Sequence, residues 1–250
     1  MGEVAAAREL LARARRVLVF TGAGMSTGSG IPDFRGEKGV WKSRKPVFFQ
    51  EFMASEEARV EHWDYKLEGY EAFRTAKPNA AHKALVGLER QGRLALLVTQ
   101  NIDGLHLDAG HLPERVVELH GTNRAIRCLS CGAVSEPAPA FEAFRKTRRC
   151  PTCPCGGFLK PATVSFGQAM PQEPLAQALK AAKGADLVLS LGSTLEVEPA
   201  SSVPLEAARR GAPYVIVNLG PIAHDRFAAV KVDGDVCAVL PGLIGSSKSA

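Results

Sequence analysis

The chain has 250 residues, of which 46% are hydrophobic and 23% charged, with a formal net charge of +5. That composition suits a globular protein large enough to bury its core without disulfide staples. No apolar stretch is long enough to span a bilayer as a helix, and the mild positive charge does not by itself indicate nucleic acid.

Residues 4–15 place Val4, Ala7, Leu10, Leu11 and Ala14 on one helical face. Charged residues from Glu3 to Arg15 interrupt any run resembling a signal peptide, and Ala6 stands where a myristoylation motif requires Ser or Thr. A cytoplasmic location is therefore expected. The apolar run Val17-Leu18-Val19-Phe20 then ends in Thr21-Gly22-Ala23-Gly24, the pattern of a buried parallel strand feeding a tight turn. Similar runs occupy Leu94 to Val98, Leu187 to Leu191 and Tyr214 to Val217, and helical segments at 79–91, 174–183 and 200–210 precede them. Alternation of this kind predicts an α/β fold, a Rossmann-like and mostly parallel sheet covered on both faces.

Two stretches break the rhythm. Residues 36–78 are rich in aromatics, among them Trp41, Phe52, Trp63, Tyr65 and Tyr70, and look helical with no strand between. Residues 124–160 carry five of the six cysteines. The expected division is a dinucleotide-binding domain from 1–35, 79–123 and 161–245. A small domain combines a helical insertion, 36–78, with a zinc ribbon, 124–160, and residues 246–250 form a disordered tail.

The loop after the first strand runs Gly22-Ala23-Gly24-Met25-Ser26-Thr27-Gly28. Glycines there let backbone N–H groups approach phosphates. The G-x-G-x-x-G fingerprint fails by one residue, because Thr27 holds the third glycine position. Nor does an acidic residue stand about twenty positions on, where a dehydrogenase needs one. Nucleotide binding is supported and hydride transfer is not. The loop continues as Gly30-Ile31-Pro32-Asp33-Phe34-Arg35, in which an arginine can meet phosphate while the ring covers a reactive carbon.

Thr99-Gln100-Asn101-Ile102-Asp103 stands at the carboxyl end of the second strand, where open α/β sheets bind ligands. Its amides and carboxylate suit ribose hydroxyls and a carboxamide; capping of a following helix is the alternative use. His120 follows the strand-like Val116-Val117-Glu118-Leu119 and is placed to act as a general base. His82, His106 and His111 are weaker candidates. Gly192-Ser193-Thr194 and Asn218 end two further strands at the same sheet edge.

Cys128-x2-Cys131 and Cys150-x2-Cys153, eighteen residues apart, have the spacing of a four-thiolate zinc ribbon. Cys155 competes with Cys153 for the fourth place. Four thiolates leave no open coordination position, so the metal is expected to be structural. The basic run from Arg145 to Arg149 reads as a solvated face rather than a nucleic-acid site.

Taken in order, these motifs resemble the sirtuins. The resemblance runs from about Val17 to Pro241 and includes Gly22 to Ser26, Gly30 to Arg35, Thr99 to Asp103, His120-Gly121, Val164-Ser165-Phe166-Gly167, Gly192 to Thr194 and Asn218. It implies an NAD-dependent protein-lysine deacetylase that transfers the acyl group to ADP-ribose, releases nicotinamide and consumes NAD, with a structural Zn2+. By this resemblance Gly22, Ala23, Gly24, Thr27, Asp33, Phe34, Arg35 and Trp41 line the dinucleotide pocket. Gln100, Asn101, Ile102 and Asp103 hold the nicotinamide ribose and carboxamide. Gly192, Ser193, Thr194, Asn218, Leu219, Gly220 and Val236 lie along the adenosine half. Val164, Ser165, Phe166 and Gly167, with Glu196 and Val197, hold an acetyl-lysine peptide as an added strand. Asn101, Asp103 and His120 carry the catalysis, with His120 as the base and a contact to substrate.

Gly28 and Gln168 replace acidic residues common in the family, and Gly192-Ser193-Thr194 inverts the usual Thr-Ser order. Relatives that remove succinyl or malonyl groups carry Tyr-x-x-Arg in the first insertion. Here Glu68 follows Tyr65 by three and Phe73 follows Tyr70 by three. Neutral acyl groups, acetyl first, are therefore expected. Two alternatives use the same features: a mono-ADP-ribosyltransferase with the same NAD pocket, and a non-enzymatic zinc-ribbon module binding nucleic acid. Acylated proteins are the expected partners, without membrane or nucleic acid, and a monomer is the default state.

Overall fold

The computed structural model describes residues 2–34, 36, 39–42 and 44–245; the tail expected at 246–250 and Arg35 lie outside them. Nine α-helices and nine strands are ordered along these described residues as follows. The chain runs α1 (Glu3–Arg13), β1 (Val17–Thr21), α2 (Phe49–Ala54), α3 (Glu56–Thr75), α4 (Ala80–Arg90), β2 (Leu94–Thr99) and α5 (Leu105–Ala109). It continues β3 (Val116–Glu118), β4 (Gly121–Cys128), β5 (Val134–Ser135), α6 (Pro137–Thr147), β6 (Leu159–Thr163) and α7 (Gln172–Lys183). It ends β7 (Leu187–Leu191), α8 (Ser202–Arg209), β8 (Tyr214–Asn218), β9 (Val230–Asp233) and α9 (Val236–Ile244).

Six strands form a parallel sheet in the order β3-β2-β1-β7-β8-β9. Each strand of the centre is buried on both faces, so alternate residues feed two cores. Val17 and Val19 pack with Leu85 and Leu88 of α4, Leu11 of α1 and Leu240 of α9. Leu18 and Phe20 face the other way, onto Ala178 and Ala182 of α7 and Val203 of α8. The chain leaves β1 toward β2 on one side and returns to β7 on the other. That reversal opens a crevice above the carboxyl ends of β1, β2 and β7, the place where such sheets bind ligands.

A second sheet, β5-β4-β6, is antiparallel. With α2, α3 and α6 it surrounds a separate apolar cluster of Phe52, Trp63, Ile126, Phe141 and Phe144. Trp63 is fully buried, meets Phe141 edge-on at 5.2 Å and donates its indole N–H to the Leu159 carbonyl at 3.2 Å. The aromatic stripe in the first break of the sequence is thus core. β9 and α9 are absent from the sequence reading. β9 is a short edge strand of alternating Val and charged residues, and Pro241 interrupts the helical pattern of α9. Asp235 starts that helix by accepting from Cys237 N and Ala238 N.

Candidate active site

The loops after β1 and β7 meet through close backbone contacts. Gly24 N donates to Gly192 O at 2.9 Å, and a Cβ on Gly22 would lie 2.7 Å from the same oxygen. Gly192 has φ +58, and a Cβ there would stand 2.5 Å from Met25 N. A side chain on Gly22, Gly24 or Gly192 would clash, so the main chain of these three glycines forms this part of the floor. The glycine that misses the fingerprint, Gly28, has another reason to be small: a Cβ would sit 2.6 Å from Cys237 Sγ on α9.

Above this junction lies a cavity of about 710 Å³. Gly22, Ala23, Gly24 and Thr27 line its floor together with Asp33 and Phe34. Asp33 accepts from Gly36 N at 3.0 Å, which closes the turn that presents Phe34. Trp41 belongs to the single turn Val40–Lys42, and its side chain is not among the described features.

Gln100, Asn101 and Ile102 form the next wall. Asn101 is 8% exposed; its amide donates to Gly22 O at 2.9 Å and Ser26 Oγ at 3.1 Å. Gln100 reaches across to donate to Ser193 Oγ at 2.8 Å. The loops after β1, β2 and β7 are therefore one hydrogen-bonded unit. Asp103 does not line the cavity with its neighbours. It is buried beneath them, accepting from Ser26 Oγ at 2.7 Å and Leu105 N at 2.9 Å. Burial raises its pKa, and these two bonds oppose the shift. The side chain expected at the ribose thus braces Ser26 and the entry to α5.

His120 lines the same cavity, and its Nδ1 stands 3.0 Å from Gln100 O. A carbonyl only accepts, so Nδ1 carries the proton and Nε2 is the basic nitrogen. The other candidate histidines are elsewhere. His82, His106 and His111 are buried; His106 Nε2 lies 3.0 Å from Thr21 Oγ1, and His111 pairs with Glu89.

The opposite wall comes from residues after β6. Val164 N donates to His120 O at 2.8 Å, and Val164, Ser165, Phe166 and Gly167 line the same cavity as His120. Phe166 O accepts from Phe49 N at 2.8 Å, and Gly167 O accepts from Gln50 Nε2 at 3.0 Å. Val197 also lines the cavity, whereas Glu196 does not and is met by Thr194 Oγ1 at 3.4 Å. Gly192, Ser193, Thr194, Asn218, Leu219, Gly220 and Val236 complete the far end. Gly220 N is held by Asp233 Oδ1 at 3.0 Å, so the unforeseen β9 steadies that end.

Helix α3 supplies what the sequence reading missed. His62, Tyr65 and Lys66 line the cavity. His62 and Lys66 are four apart, one face of a helix, while Trp63 on another face enters the aromatic cluster. The sequence places no cation three residues after Tyr65, yet Lys66, one residue after it, reaches the wall.

The cysteine cluster also differs from expectation. Cys128, Cys131, Cys153 and Cys155 bring their sulfurs within 4.8 Å of one another. Cys150, expected to pair with Cys153, is not in the group; it packs against the aromatic core, and burial pushes its thiol up to about 11. Cys153 and Cys155 both join because the turn at Gly156, φ +83, folds the chain back, with Gly156 N donating to Cys153 O at 2.8 Å. Separations of 3.5 Å for Cys128–Cys155 and 3.8 Å for Cys131–Cys153 fit the edge of a tetrahedron. A metal–sulfur bond of about 2.3 Å gives an edge of about 3.8 Å. The donor set fits a closed, structural zinc.

Comparison with known proteins agrees with this geometry. The model of the Sir2 family matches residues 22–199. An NAD-dependent protein deacetylase of Rhodopseudomonas palustris is 39% identical over 239 residues, 95% of this chain and 94% of that protein. One from Haloarcula marismortui is 40% identical over 243 residues, covering 96% and 92%. Among solved structures, a Sir2 enzyme with a p53 peptide and NAD+ superposes with a TM-score of 0.84 at 36% identity, covering 93% of each chain.

Proposed function

The chain belongs to the Sir2 family, and from that premise we infer that it is an NAD-dependent protein-lysine deacetylase working in the cavity described. The observation that carries the assignment is the placement of His120. Its basic nitrogen shares one cavity with the glycine junction of β1 and β7 and with Asn101. A base, a phosphate cradle and an amide for the ribose are brought together from four separate strand ends.

The cavity fits a dinucleotide because backbone floors it where a Cβ would clash. When bound, NAD supplies a ribose carbon made electrophilic by its nicotinamide leaving group. The residues do the rest. Asn101, held by Gly22 O and Ser26 Oγ, orients the ribose, and Asp103 keeps the Ser26 hydroxyl in place. His120 Nε2 takes the proton of a ribose hydroxyl, and Gln100 O accepts from Nδ1 and so stabilises the resulting imidazolium. Phe34 excludes water from the reacting carbon. Val164 to Gly167 and Val197 receive the acyl-lysine segment as an added strand. Zinc on the four cysteines holds β4 to β6 and takes no chemical part.

Nothing here favours hydride transfer, and the deacylase and ADP-ribosyltransferase readings separate by product. Incubation with NAD and an acetyl-lysine peptide is expected to yield free lysine peptide, nicotinamide and O-acetyl-ADP-ribose by mass spectrometry. Loss of one general base lowers the rate by about 100- to 10,000-fold, the effect expected of His120→Ala. ADP-ribose attached to protein, with the acetyl group left on the peptide, would refute the assignment. Among the described residues no helix is long and apolar enough to cross a membrane. We place the working enzyme in the reducing cytoplasm, as the clustered thiols suggest.

A further inference from the structure

A shift of register in a strand pair frees backbone groups from the ladder and re-aims side chains, often beside a binding site. The β4–β6 pair has such a shift. Gly121 pairs with Thr163 and Ile126 with Pro161, so five steps along β4 answer two along β6. Residues between them serve the loop after β2 instead. Asn123 N donates to Ile102 O at 2.9 Å, and Arg124 Nε donates to Asp103 O at 2.8 Å. Two consecutive residues of one strand thus hold two consecutive carbonyls of the loop that carries Gln100 and Asn101.

A second contact aims the guanidinium. Its terminal nitrogens fork Asp108 on α5, Nη1 to Oδ1 at 2.7 Å and Nη2 to Oδ2. The two side chains are 43% and 41% exposed, so as an ion pair they add little stability. What the fork fixes is direction: with both Nη atoms on Asp108, Nε is left for the Asp103 carbonyl. Gly104 makes room, since its φ is +70 and a Cβ there would collide with the guanidinium. Arg124 also acts through its charge. Burial raises the pKa of Asp103, and the bonds from Leu105 N and Ser26 Oγ, with the charge of Arg124, oppose the rise. Burial and Asp103 raise Glu118 to about 7, again against Arg124. Arg124 is thus the cation beside both acids, and Asp103 is the one that accepts from Ser26 Oγ, the partner of the Asn101 amide.

We propose that Arg124 is a positioning residue for NAD: through the carbonyl and carboxylate of Asp103 it keeps the Gln100–Ile102 loop in the shape that receives the nicotinamide ribose. This rests on the deacylase reading and adds a residue to its machinery. Arg124 is outside the cavity lining and acts through Asp103 and Ser26 on Asn101. The wall for the acyl-lysine segment is held by other contacts, Phe49 N on Phe166 O and Gln50 Nε2 on Gly167 O. Loss of Arg124 therefore weakens the use of NAD and spares the use of peptide.

Steady-state kinetics on an acetyl-lysine peptide, with NAD and peptide varied in turn, compare wild type with Arg124→Gln, Arg124→Lys, Asp108→Asn and the Arg124→Gln/Asp108→Asn double variant. In Arg124→Gln the KM for NAD is expected to rise by about 10-fold, while the KM for peptide stays within about twofold. Arg124→Lys keeps the charge but cannot fork Asp108 and donate to Asp103 O at once, so it recovers part of the loss. Asp108→Asn is expected to raise the KM for NAD by less than Arg124→Gln does. The double variant is expected to be no worse than Arg124→Gln, because Asp108 acts only by aiming the guanidinium. Arg93→Gln is the control for stability alone. Arg93 is outside the cavity lining and its Nε donates to Ala14 O at 3.0 Å, so this variant is expected to melt earlier with its KM for NAD unchanged. An unchanged KM for NAD in Arg124→Gln, equal rises for NAD and peptide, or effects of Arg124 and Asp108 that add would each overturn the proposal. So would a KM for NAD that rises in Arg93→Gln in step with its loss of stability. Absence of NAD-dependent turnover in wild type would instead overturn the deacylase reading and this proposal with it.

Discussion

Replacement of Cys155 by Ser removes one of four sulfurs that stand within 4.8 Å of each other, whereas Cys150→Ser leaves that quartet whole. Structural zinc contributes about 10–16 kcal/mol to the folding of zinc-finger peptides, or about 3 kcal/mol per thiolate. At about 1.4 kcal/mol per decade, loss of one ligand weakens zinc by about 100-fold. Cys150→Ser exchanges a half-buried thiol for a hydroxyl beside the aromatic cluster and costs about 1 kcal/mol. The two variants thus separate metal affinity from core packing. Metal content after dialysis, together with competition against a chromogenic chelator, measures the first; thermal unfolding measures the second. Cys155→Ser is also expected to slow deacetylation. Cys128 pairs with Leu159 at the ribbon end of the β4–β6 ladder, and Gly121 pairs with Thr163 at the end beside His120. Loosening one end therefore disturbs the other. Retention of zinc by Cys155→Ser and its loss from Cys150→Ser would refute the ligand set.

Gly192→Ala is expected to raise KM for NAD and to lower stability by about 1–3 kcal/mol, because φ is +58 and Met25 N occupies the space a methyl needs; an unchanged KM and melting temperature would contradict this. Ser26→Ala strips a donor from the buried Asp103 carboxylate and an acceptor from the Asn101 amide. Hydrogen bonds to charged groups are worth about 1.5–3 kcal/mol, so denaturant unfolding should show a loss of that order, with slower turnover. Glu118 gives a pH effect. Burial and the nearby Asp103 carboxylate raise its pKa to about 7 in the folded chain, above the ordinary carboxylate value. Stability tied to it is complete below the ordinary carboxylate range and is lost as pH rises toward about 7, because the native state holds the proton more tightly than the unfolded chain. Glu118→Gln should therefore gain on wild type in thermal unfolding between about pH 5 and about pH 8. A difference that is constant across that range would count against the argument.

Several features were legible because they depend on residues adjacent along the chain. The runs Val17 to Phe20 and Leu187 to Leu191 are unbroken, which only a strand buried on both faces requires, and β1 and β7 are central in the sheet. Polar and glycine residues directly after those runs marked the ligand edge. α9 and β9 were hidden for the opposite reason: a proline inside one and charges within the other mask their periods.

Side-chain direction was the harder part. Asp103 sits in the same short loop as Gln100 and Asn101, yet the entry into α5 turns it under Ser26 and away from the cavity. Lys66 follows Tyr65 by one residue, and no spacing along α3 reveals that its face looks toward Asn123 rather than solvent.

The order of the strand-end loops, a histidine at a strand end at position 120 and the presence of a thiolate metal site were properties of the sequence itself, since each follows from residue type and local period. Which three cysteines join Cys128, where Asp103 points and that Lys66 lines the cavity were decided only by tertiary structure. The reason is that such contacts join residues far apart in the chain, and their geometry is set by the packing of whole elements rather than by the propensity of any one.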